Sequence, residues 1–207
     1  MPQYKLHYFD IYGRAEPIRI LFYLGGVEYE DRRWSFAEWP EIKKEPIFTF
    51  GQAPLLEVDG KPLAQTIAIA RFVANQVGYA SKDEFEAARQ DSIVDFISDY
   101  QEKLVPWYRI KLGFLPGDEQ AELEKLKPAQ VDFFTKLSDI LEKEGTGYLV
   151  GSSLSWVDII LYHHNYLFNL VIPGYFDDYK VVADFNKRIE NLPKIQEYLA
   201  QRKQCER

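Results

Sequence analysis

The 207-residue sequence has one cysteine, one methionine and no long apolar run. The lone cysteine, Cys205, can form neither an intrachain disulfide nor a cysteine-based zinc site, so it favours a reducing, cytoplasmic location. No stretch approaches the ~20 apolar residues that span a bilayer, and no apolar segment follows the charges near the N-terminus. We therefore expect no membrane partner.

Clustered positive charge is also missing. Lys and Arg number 25 against 32 Asp and Glu, which gives a formal net charge of -7, and the cations are spread along the chain. Nucleic-acid binding depends on clustered cations that release counterions, so we expect no nucleic-acid partner. A small anionic ligand needs only a few well-placed cations and remains compatible with this composition.

The first eighty residues alternate strand and helix patterns, within a composition that is ordinary for a globular protein. The Asp59-Gly60 pair predicts a tight β-hairpin, and Gly25-Gly26 predicts the end of a helix. The predicted order is βαβ followed by ββα, with strands at 4–9, 27–33, 55–58 and 62–64 and helices at 14–24 and from 66 to about 78.

Beyond residue 80 every strong signal is helical. Two long amphipathic helices are predicted around residues 93–108 and 131–141. Ser155 and Asp158 resemble a capping box, which predicts the start of a buried helix, and Pro193 marks the start of a last one. We predict an α/β domain at 1–79, a linker at 80–84 and an all-α domain at 85–207.

A proline that leads the third strand is typical of the thioredoxin-like fold, where this proline is usually cis; here the candidate bond is Ala53-Pro54. Redox members of that fold carry a cysteine after the first strand, and this chain has none there. Tyr8, at the end of the first strand, could instead donate a hydrogen bond to a thiolate supplied by a ligand and lower the pKa of its thiol. Simple core packing is the alternative role for this tyrosine.

Several motifs resemble those of sigma-class glutathione transferases, a class that includes haematopoietic prostaglandin D synthases and many nematode enzymes. The similarity covers the whole α/β domain in order and continues into the capping motif of the helical domain. It lies in Tyr8-Phe9-Asp10, Gly13-Arg14-Ala15-Glu16, Ile18-Arg19, the segments 38–43, 51–54, 56–60 and 65–71, and Ser155-Trp156-Val157-Asp158.

The resemblance implies an enzyme in which Tyr8 activates the thiol of glutathione, the cosubstrate, while Arg14 supports the adjacent loop. It also implies a homodimer, with Asp99 reaching the γ-glutamyl amine of the neighbouring subunit. The other implied glutathione contacts are Trp39 and Lys43 at the glycine end, Gln52 and Ala53 flanking the site with the Ala53 backbone paired to the cysteinyl backbone, Gly51 and Pro54 beside them, and Gln65 and Thr66 at the γ-glutamyl carboxylate. Thr66 suits that role physically, because a helix N-terminus favours an anion.

Other interpretations of these residues stay open. Trp39 could be a surface clamp, Lys43 a solvated charge and Asp99 an ordinary helix charge. Phe50 could be a dimer-interface key or a packed aromatic. Gln52 stands where the vertebrate prostaglandin synthase has lysine, and Thr66 stands where serine is commoner.

By the same resemblance, a hydrophobic electrophile would be held by Tyr12, Trp107, Tyr108, Ile160, His163 and His164. Aromatic walls suit flat apolar molecules. The adjacent histidines point about 100° apart on a helix and cannot share one metal ion, so we predict no metal site. The alternatives to conjugation are ligandin-like binding of haem or other hydrophobic compounds, a crystallin-like scaffold, and prostaglandin H2 isomerisation.

Overall fold

The computed structural model describes residues 2–205. Its first half contains a four-stranded mixed sheet in the order β2-β1-β3-β4, in which β1 runs parallel to β2 and antiparallel to β3. Helices fill the second half. The elements are β1 (Tyr4–Phe9), a 3-10 turn (Gly13–Ala15), α1 (Glu16–Leu24), β2 (Glu30–Trp34), α2 (Trp39–Ile42), β3 (Leu55–Val58), β4 (Lys61–Ala64), α3 (Thr66–Val77), α4 (Glu84–Lys111), α5 (Glu119–Glu144), α6 (Trp156–Val171), α7 (Lys180–Glu190) and α8 (Pro193–Gln201).

This architecture confirms the predicted fold class, a thioredoxin-like sheet domain followed by a helical domain. The Ala53-Pro54 bond is cis, as expected. The second strand begins at Glu30, three residues later than predicted, and the short helix α2 interrupts the segment before β3.

Strand β1 lies in the middle of the sheet and directs its side chains alternately to two cores. Tyr4, Leu6 and Tyr8 join the large core, which also contains α1, α3 and the inner faces of the C-terminal helices. Phe9 packs on the other side of the sheet against Trp34, in a smaller cluster. Tyr8 therefore faces the helical domain.

Helix α6 runs through the centre of the helical domain and is buried on nearly all sides over its first ten residues. Its start is fixed by the predicted capping box between Ser155 and Asp158. The Asp158 carboxylate accepts hydrogen bonds from the Ser155 amide, the Ser155 hydroxyl and the Leu149 amide, each at 2.8 Å. This cap sets the position of the α6 side chains that face Tyr8.

Candidate active site

Tyr8 is 6% exposed and lies at the carboxyl end of β1. Its hydroxyl oxygen accepts a hydrogen bond from the Arg14 backbone amide at 3.0 Å. Burial raises the pKa of this hydroxyl above its ordinary value, although the Arg14 amide and the nearby charges of Arg14 and Arg19 oppose the rise. The phenol therefore stays protonated at neutral pH and can donate a hydrogen bond.

Gly13 allows the chain to pass closely over the Tyr8 ring. Its φ is +42°, and a Cβ atom at this position would lie 2.8 Å from the Tyr8 hydroxyl oxygen and 2.9 Å from a ring carbon. Both the left-handed backbone and the close contact require glycine here. Gly13 thus positions the Arg14 amide over the hydroxyl.

A cleft of about 200 Å³ opens beside Tyr8, between the sheet domain and helices α4 and α6. Seven of the residues that the sequence analysis assigned to the site line this cleft: Tyr8, Arg14, Thr66, Tyr108, Ile160, His163 and His164. The structure adds lining residues that the sequence analysis did not name, chiefly Pro17, Gln101, Leu104, Val105, Leu167 and Phe168.

The added residues carry a periodic signal that could have identified them. On α4 the lining positions 101, 104, 105 and 108 are spaced as one helical face, as are 160, 163, 164, 167 and 168 on α6. These faces are visible in the sequence, but which face lines a cleft depends on how the helices pack.

Two expected pocket residues lie elsewhere. Trp107 is buried within the helical core and is absent from the cleft wall, although its neighbour Tyr108 lines the cleft. Tyr12 is covered by the C-terminal tail: the Arg202 guanidinium lies 4.1 Å from the centre of its ring, and its hydroxyl oxygen accepts from the Cys205 amide at 3.1 Å. Neither the Trp107 nor the Tyr12 side chain therefore lines the cleft.

The two buried histidines have different partners. His163 donates from Nε2 to the Gly13 carbonyl at 2.7 Å. His164 lies 3.2 Å from the Gln101 amide nitrogen through Nδ1 and 3.3 Å from the Tyr175 hydroxyl through Nε2. Burial lowers the pKa of His163 to about 4 and that of His164 to about 3, so both rings are neutral at pH 7. Among residues 2–205, no group of three or more His, Cys, Asp or Glu side chains is placed to hold a metal ion.

Gln65 and Thr66 form the start of helix α3 at the edge of the cleft. Gln65 adopts φ +76°, a strained conformation for a residue other than glycine, and its side-chain amide donates to the Gln52 oxygen at 3.1 Å. No side chain within the described part of the chain caps this helix. The N–H groups of its first turn are therefore available to an anion.

The remaining expected contacts lie at the surface or close to it. Trp39 stacks on Trp34 with ring centres 5.7 Å apart and also contacts Phe9, which in turn packs edge-on against Tyr8. Lys43 and Asp99 are exposed, and neither makes an ion pair within residues 2–205. Gly51 and the cis Ala53-Pro54 bond lie in the segment that leads into β3.

Comparison with known proteins gives the class of this fold and site. Residues 4–75 match the family model described as glutathione S-transferase, N-terminal domain, and residues 111–202 match the C-terminal domain of the same family. The chain therefore belongs to the glutathione S-transferase family, enzymes that use glutathione as a cosubstrate.

Individual relatives agree along the full length. Glutathione S-transferase 1 of Ascaris suum is 38% identical over 98% of both chains. The crystal structure of Na-GST-3 from the hookworm Necator americanus, described as monomeric, has a TM-score of 0.91 and 40% identity over 98% of both chains. A nu-class enzyme from Haemonchus contortus has a TM-score of 0.89 and 38% identity over the whole of both chains.

Proposed function

We propose that the chain ionises bound glutathione against the Tyr8 hydroxyl and adds the resulting thiolate to a hydrophobic electrophile. The observation that carries this proposal is the state of Tyr8, a protonated phenol on a cleft wall whose oxygen already accepts the Arg14 amide. With that lone pair occupied, the O–H bond is free to point at a sulfur anion. A donor fixed before the reaction stabilises the thiolate without reorganisation, which makes the thiolate available near neutral pH.

The polar edge of the cleft suits the remainder of the tripeptide. The uncapped N-terminus of α3 and the strained Gln65 would hold the γ-glutamyl carboxylate, since the helix dipole and free N–H groups favour an anion. Ala53, beside the cis bond, would pair through its backbone with the cysteinyl backbone. Lys43, with Trp39 beside it, would attract the glycine carboxylate.

The electrophile would occupy the apolar side of the same cleft. Leu104, Val105, Ile160 and Phe168 supply aliphatic and aromatic surface next to Tyr108, a lining suited to flat apolar compounds. The thiol proton passes to solvent water, and the thiolate sulfur then attacks an electrophilic carbon; on a chloronitrobenzene the C–S bond forms as chloride leaves with the C–Cl bonding pair. No observation on the described residues favours haem binding or prostaglandin isomerisation over this reaction.

The proposal is tested by assaying the chain with glutathione and a chloronitrobenzene, and by its retention on immobilised glutathione. We expect both turnover and retention. If the chain is retained on the column but turns over none of several aryl halides, the result would contradict conjugation and indicate a protein that only binds glutathione.

Replacing Lys43 with methionine should weaken glutathione binding about fivefold, because an exposed cation paired with a carboxylate contributes about 1 kcal/mol. Isothermal titration at low ionic strength measures the dissociation constant. The loss should shrink in high salt, since screening weakens exposed pairs.

Lys44→Met is the matched control for this change. Lys44 is also exposed but already pairs with Glu41 at 2.7 Å, so its removal should leave glutathione affinity unchanged. Equal losses of glutathione affinity in the two variants would show that Lys43 acts only through the general surface charge and not through a specific contact.

We also propose a homodimer in which Asp99 reaches the glutathione of the neighbouring subunit. Glutathione S-transferases are usually dimeric, Asp99 is unpaired among the described residues, and the Phe50 side chain is 61% exposed, which suits a contact with a second copy. Analytical ultracentrifugation should show a dimer that Phe50→Ala weakens. The Phe114 side chain is 58% exposed but contacts Phe36, so Phe114→Ala is the control and should not weaken the dimer. A monomer at all concentrations would refute the proposal.

Four further assignments are proposed, each from its own observation. The nu-class neighbour supports a sigma or nu type, and the apolar cleft supports a role in detoxification. The free Cys205 is compatible with a cytoplasmic location; within residues 2–205, no helix is both long and apolar enough to cross a membrane. The end of α3 at Val77 and the start of α4 at Glu84 support domains at 1–79 and 85–207 with a linker at 80–84.

A further inference from the structure

The peptide unit that joins Gly13 to Arg14 is hydrogen-bonded at both of its polar ends. At one end the Gly13 carbonyl accepts from His163 Nε2 at 2.7 Å. At the other end the Arg14 amide donates to the Tyr8 hydroxyl oxygen at 3.0 Å. Because the carbonyl and amide of a trans peptide point in opposite directions, this one planar group links α6 to the Tyr8 hydroxyl.

The direction of each bond follows from its partner. A backbone carbonyl only accepts, so His163 must carry its proton on Nε2. A backbone amide only donates, so one lone pair of the Tyr8 oxygen is occupied and its own proton is directed elsewhere. The chain of donors therefore runs in one direction, from His163 through the peptide to Tyr8.

We propose that His163 is a positioning residue for thiol activation, acting on Tyr8 through the Gly13–Arg14 peptide. This inference rests on the proposed role of Tyr8. A hydrogen bond to a peptide carbonyl polarises the amide and strengthens its N–H as a donor, by roughly 10–30% per bond in a chain of this kind. A stronger bond to the Tyr8 oxygen makes the Tyr8 O–H a better donor, and a thiolate beside it is better stabilised.

The geometry leaves this peptide little freedom to compensate. The backbone at Gly13 passes so close to Tyr8 that a Cβ atom there would lie 2.8 Å from the hydroxyl oxygen, so a shift of the peptide changes the contact between the Arg14 amide and this oxygen directly. The Arg14 side chain is exposed, and changing it would leave the backbone amide in place. His163 is therefore the side chain through which the polarity of this peptide can be altered.

The test compares His163→Leu with His163→Gln, whose side-chain amide can place a donor near the position of Nε2. The pKa of the bound glutathione thiol is read from the ultraviolet absorbance of the thiolate as a function of pH. We expect His163→Leu to raise the pKa of the bound thiol by about half a unit. At a fixed pH below that pKa, this corresponds to a roughly threefold loss of thiolate. His163→Gln should restore most of the wild-type pKa.

His7→Leu is the matched control for loss of a buried histidine. His7 is also buried and lies next to Tyr8 on β1, but its side chain contacts Glu57, Trp34 and Phe48 and does not line the cleft. Its replacement should leave the thiol titration at the wild-type value. Equal shifts in the two leucine variants, or none in His163→Leu, would overturn the proposal.

A second readout does not require glutathione. In protein labelled with ¹³C at the tyrosine Cζ, the Tyr8 resonance is identified by its loss in Tyr8→Phe, and its pKa should rise in His163→Leu and return towards wild type in His163→Gln. An unchanged Tyr8 pKa would also refute the inference.

If the role of Tyr8 is itself incorrect, Tyr8→Phe will leave the bound thiol pKa unchanged while the His163 effect on Tyr8 persists. If His163→Leu does not fold, His163→Asn, whose amide is too short to reach the carbonyl, replaces it in both measurements.

Discussion

Tyr8→Phe is expected to lower kcat/KM for conjugation of a chloronitrobenzene by about 10²- to 10³-fold, because it removes the hydroxyl that stabilises the reacting anion. Losses of this size follow the removal of one preorganised donor at a developing charge, about 3–4 kcal/mol in the barrier. Glutathione affinity should change little, since the carboxylates of the ligand would be held at Thr66 and Lys43. Steady-state kinetics and calorimetry measure the two effects separately.

The pH profile should distinguish thiol activation from packing. In the variant the thiol titrates near its free value, about 8.5 for a cysteine thiol, so activity should keep rising with pH where the wild type has levelled off. Tyr4→Phe is the matched control, because Tyr4 lies on the same strand and in the same core but away from the cleft wall. Wild-type turnover in Tyr8→Phe at neutral pH would remove the hydroxyl from the mechanism.

Asp158→Ala is expected to lower the free energy of unfolding by about 4 kcal/mol. The carboxylate is fully buried and accepts three hydrogen bonds, two of them from the backbone amides of Leu149 and Ser155. Alanine would leave both amides buried without a partner, and each such group costs about 1–3 kcal/mol. Urea unfolding followed by circular dichroism measures the loss.

Asp132→Ala supplies the comparison on a surface helix. Asp132 pairs with Lys136 at 2.8 Å, both side chains are 55% exposed, and exposed pairs of this kind contribute less than about 0.5 kcal/mol. Similar unfolding energies for the two variants would show that the cap is not what stabilises α6. Since α6 carries Ile160 and His163, a chain with a weakened cap should also lose catalytic activity before it loses its secondary structure.

The elements that the sequence predicted best are those specified by local chemistry. Strand β1 has the predicted bounds, the Asp59-Gly60 pair makes the hairpin between β3 and β4, and the capping box starts α6 where expected. Helices α2 and α7 were not singled out. Helix α2 is only four residues long, whereas α7 carries a regular apolar face at Val182, Phe185 and Ile189 that was available to find it.

The candidate site was predictable where a residue's role follows from its place in a motif. Tyr8 and Thr66 lie on the cleft because the end of a strand and the start of a helix fix them. Trp107 does not, because adjacent helix positions point about 100° apart and the packing of α4 turns Tyr108 rather than Trp107 to the cleft. Tyr12, which was expected in the pocket, does not line the cleft because residues 202–205, nearly two hundred positions away in the chain, cover its side chain.

The contact between Tyr12 and residues 202–205 has a consequence for the order of folding. Arg202 also pairs with Glu16 at 2.8 Å, at the start of α1, so the corner next to Tyr8 is closed by contacts between residues that are 186 to 193 positions apart in the chain. Contacts this distant in sequence carry a high loop-closure cost, whereas the β3–β4 hairpin is local, so this corner should reach its final form after the hairpin. A change at Arg202 should thus be felt beside Tyr8, on the opposite side of the sequence.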